Sequence, residues 1–176
     1  MVAMQIRFTE IPPQGLTLEL TDQSWFPDHE LGRHGVARAT VALSREGERV
    51  VCAGRLEVTV SLSCDRCLEA YRYPLAAEFR LRLELSAPDN LPPAVAREHS
   101  CSREEMDTVF LAEELVDLGD LLSQQLYLNL PAKSLCRAEC RGLCPRCGAD
   151  LNQGDCGCAT KGENSPFAAL RVLKKT

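Results

Sequence analysis

Ten cysteines among 176 residues give this sequence its clearest capacity for chemistry. The chain starts without an apolar signal segment, so we expect the protein to stay in the reducing cytoplasm with its thiols unpaired. Reduced cysteines that cluster along a chain are typical of metal sites, and the sequence therefore predicts zinc rather than disulfides. The cysteines are Cys52, Cys64, Cys67, Cys101, Cys136, Cys140, Cys144, Cys147, Cys156 and Cys158.

The densest group of cysteines lies near the C-terminus, around the segment Cys144-Pro-Arg-Cys147-Gly148. Two thiolates at this spacing hold one zinc ion when the chain turns tightly, and a glycine after the second cysteine permits a positive φ. Cys156 and Cys158 follow a loop of eight residues and complete a closed, structural four-thiolate site, so these four cysteines are the first-choice ligands. Cys136 and Cys140, about one helical turn apart, are alternative ligands.

The cysteine-rich tail has too few apolar residues to build a core of its own. Metal ligation contributes roughly 10–16 kcal/mol at a small zinc site, which is enough to fold such a segment. We therefore predict that the tail depends on zinc for its structure.

A further pair, Cys64 and Cys67, admits three interpretations. The two thiols are half of a split zinc site completed by tail cysteines, or a redox dithiol, or small buried residues without a ligand. If Cys52 and Cys101 are structural or incidental, eight thiols remain, enough for two four-thiolate sites. The sequence leaves open which four cysteines share an ion and whether there are one or two ions.

Other catalytic patterns are missing from the sequence. His29, His34 and His99 are isolated, and none belongs to a metalloprotease-like pair. The chain contains neither a glycine-rich phosphate loop nor a nucleophile elbow. We predict that the protein is not an enzyme and takes no small-molecule substrate.

The elements that position the cysteines begin with a predicted antiparallel sheet. Apolar and polar residues alternate over Val50–Leu62 and Leu75–Leu85, which indicates strands with one buried and one wet face. The pair of cysteines between them falls at the tip of a β-hairpin. Met4–Phe8, Leu16–Leu20 and Val36–Leu43 are weaker strand candidates for the same sheet.

One helix is well signalled after a turn-rich linker at residues 87–93 and a short strand candidate, Thr108–Leu111. Asp117 is its expected N-cap and Pro131 stops it, while a second short helix is expected over Pro166–Lys175. The fold class predicted is α+β: an antiparallel β-sheet with one long helix in residues 1–130, and a C-terminal cysteine-rich zinc-binding tail in residues 131–176. The apolar stripe that packs the long helix on the sheet is Leu118, Leu121, Leu122 and Leu126.

Charge divides the chain unevenly. The formal net charge is −5, with +4 in residues 131–176 and therefore −9 in the preceding 130, which excludes a uniformly basic nucleic-acid coat. Residues 98–120 form an acidic stretch, either a solvated loop or a docking surface. Any RNA contact should involve phosphates and be salt-sensitive, because Phe167 is the sole aromatic residue of the tail. The alternative to RNA contact is that the tail is a normally solvated basic segment. The candidate RNA-binding residues are Arg137, Arg141, Arg146, Lys174 and Lys175.

Three motifs follow one another along the chain. They are Cys64-Asp-Arg-Cys67-Leu-Glu after an alternating strand, the tail pattern from Leu130-Pro131 to Cys156-Gly-Cys158, and the closing Ser165-Pro166-Phe167 with Leu170 and Leu173-Lys174. In this order they resemble the YceD family of bacterial and plastid proteins. The resemblance implies a cytosolic factor in large ribosomal subunit biogenesis and ribosomal RNA accumulation; no membrane contact is expected, because no stretch of the sequence has the roughly 18 apolar residues needed to span a membrane. Its partner would be a ribosomal RNA precursor or a ribosomal protein of the large subunit. The competing hypotheses are a dithiol redox or metal-handling protein using Cys64 and Cys67, and a zinc-stapled protein-interaction adaptor.

Overall fold

The computed structural model of the protein describes residues 4–21, 23–86 and 107–158, which form two compact units. The first unit is Met1–Leu62 with Tyr71–Ala132, and the second is Ser63–Ala70 with Lys133–Thr176. The division into domains at residue 130 remains a prediction. Several predicted features lie outside the described residues. They are the linker at 87–93, Cys101, the part of the acidic stretch before Asp107, and the helix expected over Pro166–Lys175.

A five-stranded sheet dominates the first unit, with strands numbered along the chain and ordered β2-β3-β4-β5-β6. The strand pairs β2/β3 and β3/β4 are antiparallel, as the alternation predicted. Apolar side chains of alternate positions are buried on one face, while the residues between them are mostly exposed. The bounds are β2 (Leu16–Leu20), β3 (Arg33–Glu46), β4 (Arg49–Ser63), β5 (Ala70–Leu85) and β6 (Thr108–Leu111).

Two pairings differ from the prediction of one antiparallel sheet. Strand β6 runs parallel to β5, because the long connection between them allows the chain to return in the same direction. The candidate strand Met4–Phe8 was expected in the main sheet, and this prediction is wrong: β1 (Gln5–Arg7) pairs antiparallel with β7 (Leu115–Asp117) in a two-stranded sheet. Strands of three residues carry too little alternation for the sequence to specify their partner.

The predicted helix, α1 (Leu118–Leu128), begins and ends as its signals indicate. The Asp117 side chain accepts a hydrogen bond from the Asp120 N–H at 3.0 Å, and Gln5 donates to the other carboxylate oxygen at 3.0 Å. All four leucines of the apolar stripe are buried in the same hydrophobic cluster as the inner face of the sheet. The α+β class with one α-helix in the described part of the chain is therefore confirmed.

The hairpin between β4 and β5 leads the chain into the second unit. Strand β4 ends at Ser63 and β5 begins at Ala70, so the first pair of cysteines lies in the turn, as predicted. Within the described ranges, no helix is long and apolar enough to cross a membrane.

Candidate metal centre

Cysteines take the place of a hydrophobic core in the second unit. The side chains buried in its described part belong to Cys64, Cys67, Cys140 and Cys144. No aliphatic or aromatic side chain between residues 63 and 70 or 133 and 158 is buried to the same degree. Thiols alone give little hydrophobic stabilisation, so this unit needs another source of folding free energy.

The structure assembles eight thiols into two groups of four. Within each group, all the sulfur atoms lie within 4.8 Å of one another. The first group consists of Cys64, Cys67, Cys136 and Cys140, and the second group consists of Cys144, Cys147, Cys156 and Cys158. The second group is the first-choice set of the sequence analysis, and the first group is the split arrangement that the sequence left as one of three alternatives.

The sulfur separations in the first group fit a tetrahedral ion. Cys64 and Cys140 have their sulfur atoms 3.8 Å apart, and those of Cys67 and Cys136 are 3.7 Å apart. Four sulfurs at Zn–S distances near ~2.3 Å define a tetrahedron with edges of about 3.8 Å, whereas a disulfide needs about 2.05 Å. The nine cysteines of the described residues are all free thiols. The donor set and its spacing therefore suit zinc.

The two Cys-x-x-Cys turns have the same backbone geometry. The Leu68 N–H donates to the Cys64 carbonyl at 2.9 Å, and the Gly148 N–H donates to the Cys144 carbonyl at 2.9 Å. In both turns the N–H of the first cysteine donates to the carbonyl five residues further on, at 2.9 and 2.8 Å. Gly148 has the positive φ expected from its position, 72°, but Leu68 also has one, 63°. Sequence reasoning missed Leu68, since leucine rarely adopts this conformation.

Backbone donors converge on the first cysteine of each turn. The Cys136 N–H, followed by N–H groups of its own turn, lowers the pKa of Cys64 to about 6. The N–H groups of Arg146 and Cys147 lower the pKa of Cys144 to about 6. Each turn is therefore preorganised to hold a thiolate, the form of cysteine that binds metal.

The remaining thiols of each group respond to the crowding of sulfur atoms. Burial, followed by hydrogen bonds of its thiol with neighbouring thiols, raises the pKa of Cys136 to about 12. Hydrogen bonds with Cys147 and Cys156 raise the pKa of Cys158 to about 12. Four thiols at this separation cannot all ionise without a cation, and a divalent ion removes that obstacle.

The tip of the hairpin is tied to the tail beside the first group. Asp65 and Ser134 exchange two hydrogen bonds: the Asp65 N–H donates to the Ser134 carbonyl at 2.8 Å, and the Ser134 N–H donates to the Asp65 carboxylate at 2.7 Å. Arg66 donates to the Cys140 carbonyl at 2.6 Å. These contacts bring together ligands that lie 69 and 76 residues apart in sequence.

The basic residues proposed from sequence for RNA are balanced by acids in this unit. Arg141 pairs with Asp155 at 2.5 Å, and Arg137 lies near enough to Asp150 to help lower the pKa of that carboxyl, after the Asn152 N–H, the largest cause. The described part of the unit holds five arginines and lysines and five aspartates and glutamates. Lys174 and Lys175 lie outside the described residues.

Cys52 belongs to neither group. It lies in β4 within the core of the first unit, where burial raises the pKa of its thiol to about 12.

Comparison with known proteins matches most of the chain to one family. The family described as "Large ribosomal RNA subunit accumulation protein YceD" matches residues 52–174, a range that includes all eight grouped cysteines. The chloroplastic protein named large ribosomal RNA subunit accumulation protein YCED homolog 1, from Arabidopsis thaliana, is 20% identical over 155 residues, covering 78% of this chain and 48% of its own length.

An uncharacterized protein of Mycobacterium tuberculosis is 29% identical over 139 residues, covering 78% of this chain and 57% of the relative. The chain thus spans about half the length of the curated relatives it matches. No solved structure matches it. Because the family match covers more than half of the sequence and contains both Cys-x-x-Cys turns, the chain belongs to the YceD family.

Proposed function

We propose that the protein is a non-enzymatic, cytoplasmic factor that supports large ribosomal subunit biogenesis and the accumulation of large-subunit ribosomal RNA. The family match over residues 52–174 carries this proposal. The name of the Arabidopsis relative links that protein to accumulation of the large ribosomal RNA subunit. Two structural zinc ions, one in each group of four cysteines, complete the proposal.

Zinc would supply folding free energy here. Four thiolates fill all the positions of a tetrahedral ion and leave none for water, which is the arrangement of a structural site. The first group would tie the hairpin turn to residues 136 and 140, and the second would close the loop between Cys147 and Cys156. Metal analysis of the purified chain tests this: we expect two ions, one lost in Cys64→Ser and the other in Cys144→Ser.

Charge favours a basic protein as the partner over ribosomal RNA. Each four-thiolate zinc site carries two negative charges, so two sites offset the +4 of the tail and take the formal net charge of the chain from −5 to −9. The arginines near the cysteines would then compensate the sites. A ribosomal protein of the large subunit suits such a surface better than a phosphate backbone does.

A pull-down separates the two partners. Ribosomal proteins of the large subunit that stay bound after RNA digestion support a ribosomal protein as the partner. Other proteins that stay bound support the adaptor hypothesis. Binding that needs RNA, weakens steeply with salt and falls in Arg137→Ala would instead support contact with ribosomal RNA.

The role itself is tested by depletion in the source cell. We expect the ratio of large-subunit to small-subunit ribosomal RNA to fall and to recover with the wild-type chain. Cys140→Ser should fail to restore the ratio, while Cys52→Ser, outside both groups, should restore it. An unchanged ratio after depletion would reject the proposed role.

A dithiol redox function has one observation in its favour, the low pKa of Cys64. The same thiol lies among three others at metal-binding distances, which an ordinary redox pair does not need. Purified protein that holds no metal at the first group and forms a reversible Cys64–Cys67 disulfide would support the redox function instead.

A further inference from the structure

Asn152 connects the two groups of cysteines. It lies in the loop that closes the second group, between Cys147 and Cys156. Its side-chain Nδ2 nevertheless lies 3.5 Å from the sulfur of Cys140, a member of the first group. One side chain therefore belongs to one site by sequence and contacts the other site in space.

The orientation of this amide is fixed by its other partners. The Asn152 Oδ1 accepts a hydrogen bond from the Arg141 N–H at 2.9 Å, so the carbonyl end faces the backbone. The amino end then faces Cys140 and the Asp150 carboxylate, to which Nδ2 donates at 2.7 Å. Both neighbours of the amino group are acceptors when Cys140 is a thiolate, and a reversed amide would place oxygen against them.

The backbone around Asn152 is also joined to the first group. Leu151 donates to the Gly142 carbonyl at 2.9 Å, and Leu143 forms an isolated antiparallel bridge with Asp150. Leu143 in turn donates to the carbonyl of Arg66, inside the first Cys-x-x-Cys turn, at 2.9 Å. These hydrogen bonds hold the start of the second group's loop, and Asn152 within it, beside Cys140.

We propose that Asn152 is a positioning residue that couples the two metal sites, holding Cys140 as a ligand of the first group only when the second group is closed. The inference rests on the proposed zinc function. A donor to a metal-bound thiolate fixes its orientation and offsets its charge, and loss of such an outer partner typically weakens metal binding by 10–100-fold. Coupling between two binding sites is reciprocal, so each ion strengthens retention of the other by the same factor.

The test measures release of metal from each group separately. Zinc-loaded full chain is titrated with a chelator, and the alkylation of individual cysteines is followed by peptide mass spectrometry. Asn152→Ala should release metal from the first group, read at Cys64, Cys67, Cys136 and Cys140, at chelator activities about 10–100-fold lower than the wild type. Asn152→Asp, which keeps the oxygen facing Arg141 but replaces the donor, should weaken the first group at least as much.

Gln153→Ala is the matched control. This neighbouring amide also donates to Asp150, at 3.2 Å, and among the described residues none of its hydrogen bonds reaches a cysteine or Arg141. It should leave the first group unchanged. Release of metal from Cys140 in Asn152→Ala at the same chelator activity as in Gln153→Ala would overturn the inference.

A double-mutant cycle isolates the coupling. Disabling the second group with Cys156→Ser and Cys158→Ser should weaken the first group when Asn152 is present, and should add no further loss in Asn152→Ala. Equal losses in the two backgrounds would overturn the coupling while leaving two bound ions in the wild type. A wild-type chain that takes up no zinc would instead overturn the proposed zinc sites, and this inference with them.

Discussion

Gly142→Ala is expected to weaken zinc binding far more than Gly148→Ala, although the two glycines have nearly the same backbone conformation. Their φ angles are 74° and 72°, so alanine meets the same left-handed penalty at both positions. The surroundings differ. Beyond its two chain neighbours, a Cβ at Gly148 would meet no atom of the described residues within 4 Å, whereas one at Gly142 would lie 2.8 Å from the Arg66 carbonyl oxygen and 3.0 Å from the Arg66 Cβ.

The size of each effect follows from these contacts. The left-handed conformation costs a residue with a Cβ about 1–2 kcal/mol, which is about 5–30-fold in an equilibrium constant. Gly142→Ala adds an overlap with backbone, typically about 1–3 kcal/mol. The Arg66 carbonyl cannot move away without breaking its hydrogen bond with the Leu143 N–H. We therefore expect a total of about 2–5 kcal/mol, or about 30-fold to several thousand-fold.

Zinc affinity would report these costs, because the proposed zinc sites couple metal binding to folding of the second unit. Competition with a chromophoric chelator gives the apparent affinity, and hydrogen exchange of amides between residues 133 and 158 gives the local stability. Leu68 already tolerates a positive φ in the first turn, which is why a modest loss is expected for Gly148→Ala. Equal losses in the two alanine variants, or wild-type affinity in Gly142→Ala, would show that the close approach to Arg66 is not needed.

Three further outcomes are expected. Asp117→Ala should lower the stability of the first unit by about 1 kcal/mol at neutral pH, while Asp117→Asn keeps the cap. The hydrogen bond from Gln5 and then the Asp120 N–H lower the pKa of Asp117. In acid unfolding, only the wild type should therefore lose the stabilisation by the Asp117 carboxylate as the pH falls below about 4. Gly54→Ala should lower the melting temperature, because its Cβ would lie 2.5 Å from the Phe79 ring. Removing zinc with a chelator should abolish hydrogen-exchange protection at 133–158 and leave that of β3 and β4 intact.

The parts of the fold that sequence reasoning recovered are those encoded locally. The alternation over β4 and β5 identified two strands of the sheet and placed Cys64 and Cys67 in the turn between them. The helix was recovered because its N-cap, its leucine stripe and the following proline all lie within 15 residues. The sheet partner of β1 was not recovered, because a three-residue strand gains its place from hydrogen bonds to a segment 112 residues away.

The positive φ at Leu68 shows the same limit at the scale of one residue. The glycine at position 148 indicates a positive φ in the sequence, whereas the leucine at position 68 does not. Only the hydrogen bonds of the two turns show that positions 68 and 148 are equivalent. The donor role of Asn152 is likewise invisible in the spacing of cysteines, since its acceptor lies in the other group.

The order of the residues alone determines which thiols have a spacing suited to binding an ion, where the sheet and the helix form, and which family motifs the chain carries. Tertiary structure decided which thiols share a centre: the hairpin pair meets residues 136 and 140, while the remaining four close a loop. The reason is physical. Turn geometry and periodic burial act over a few residues, but the four sulfur atoms of the first group converge only when segments about 70 residues apart are held together by contacts such as that between Asp65 and Ser134.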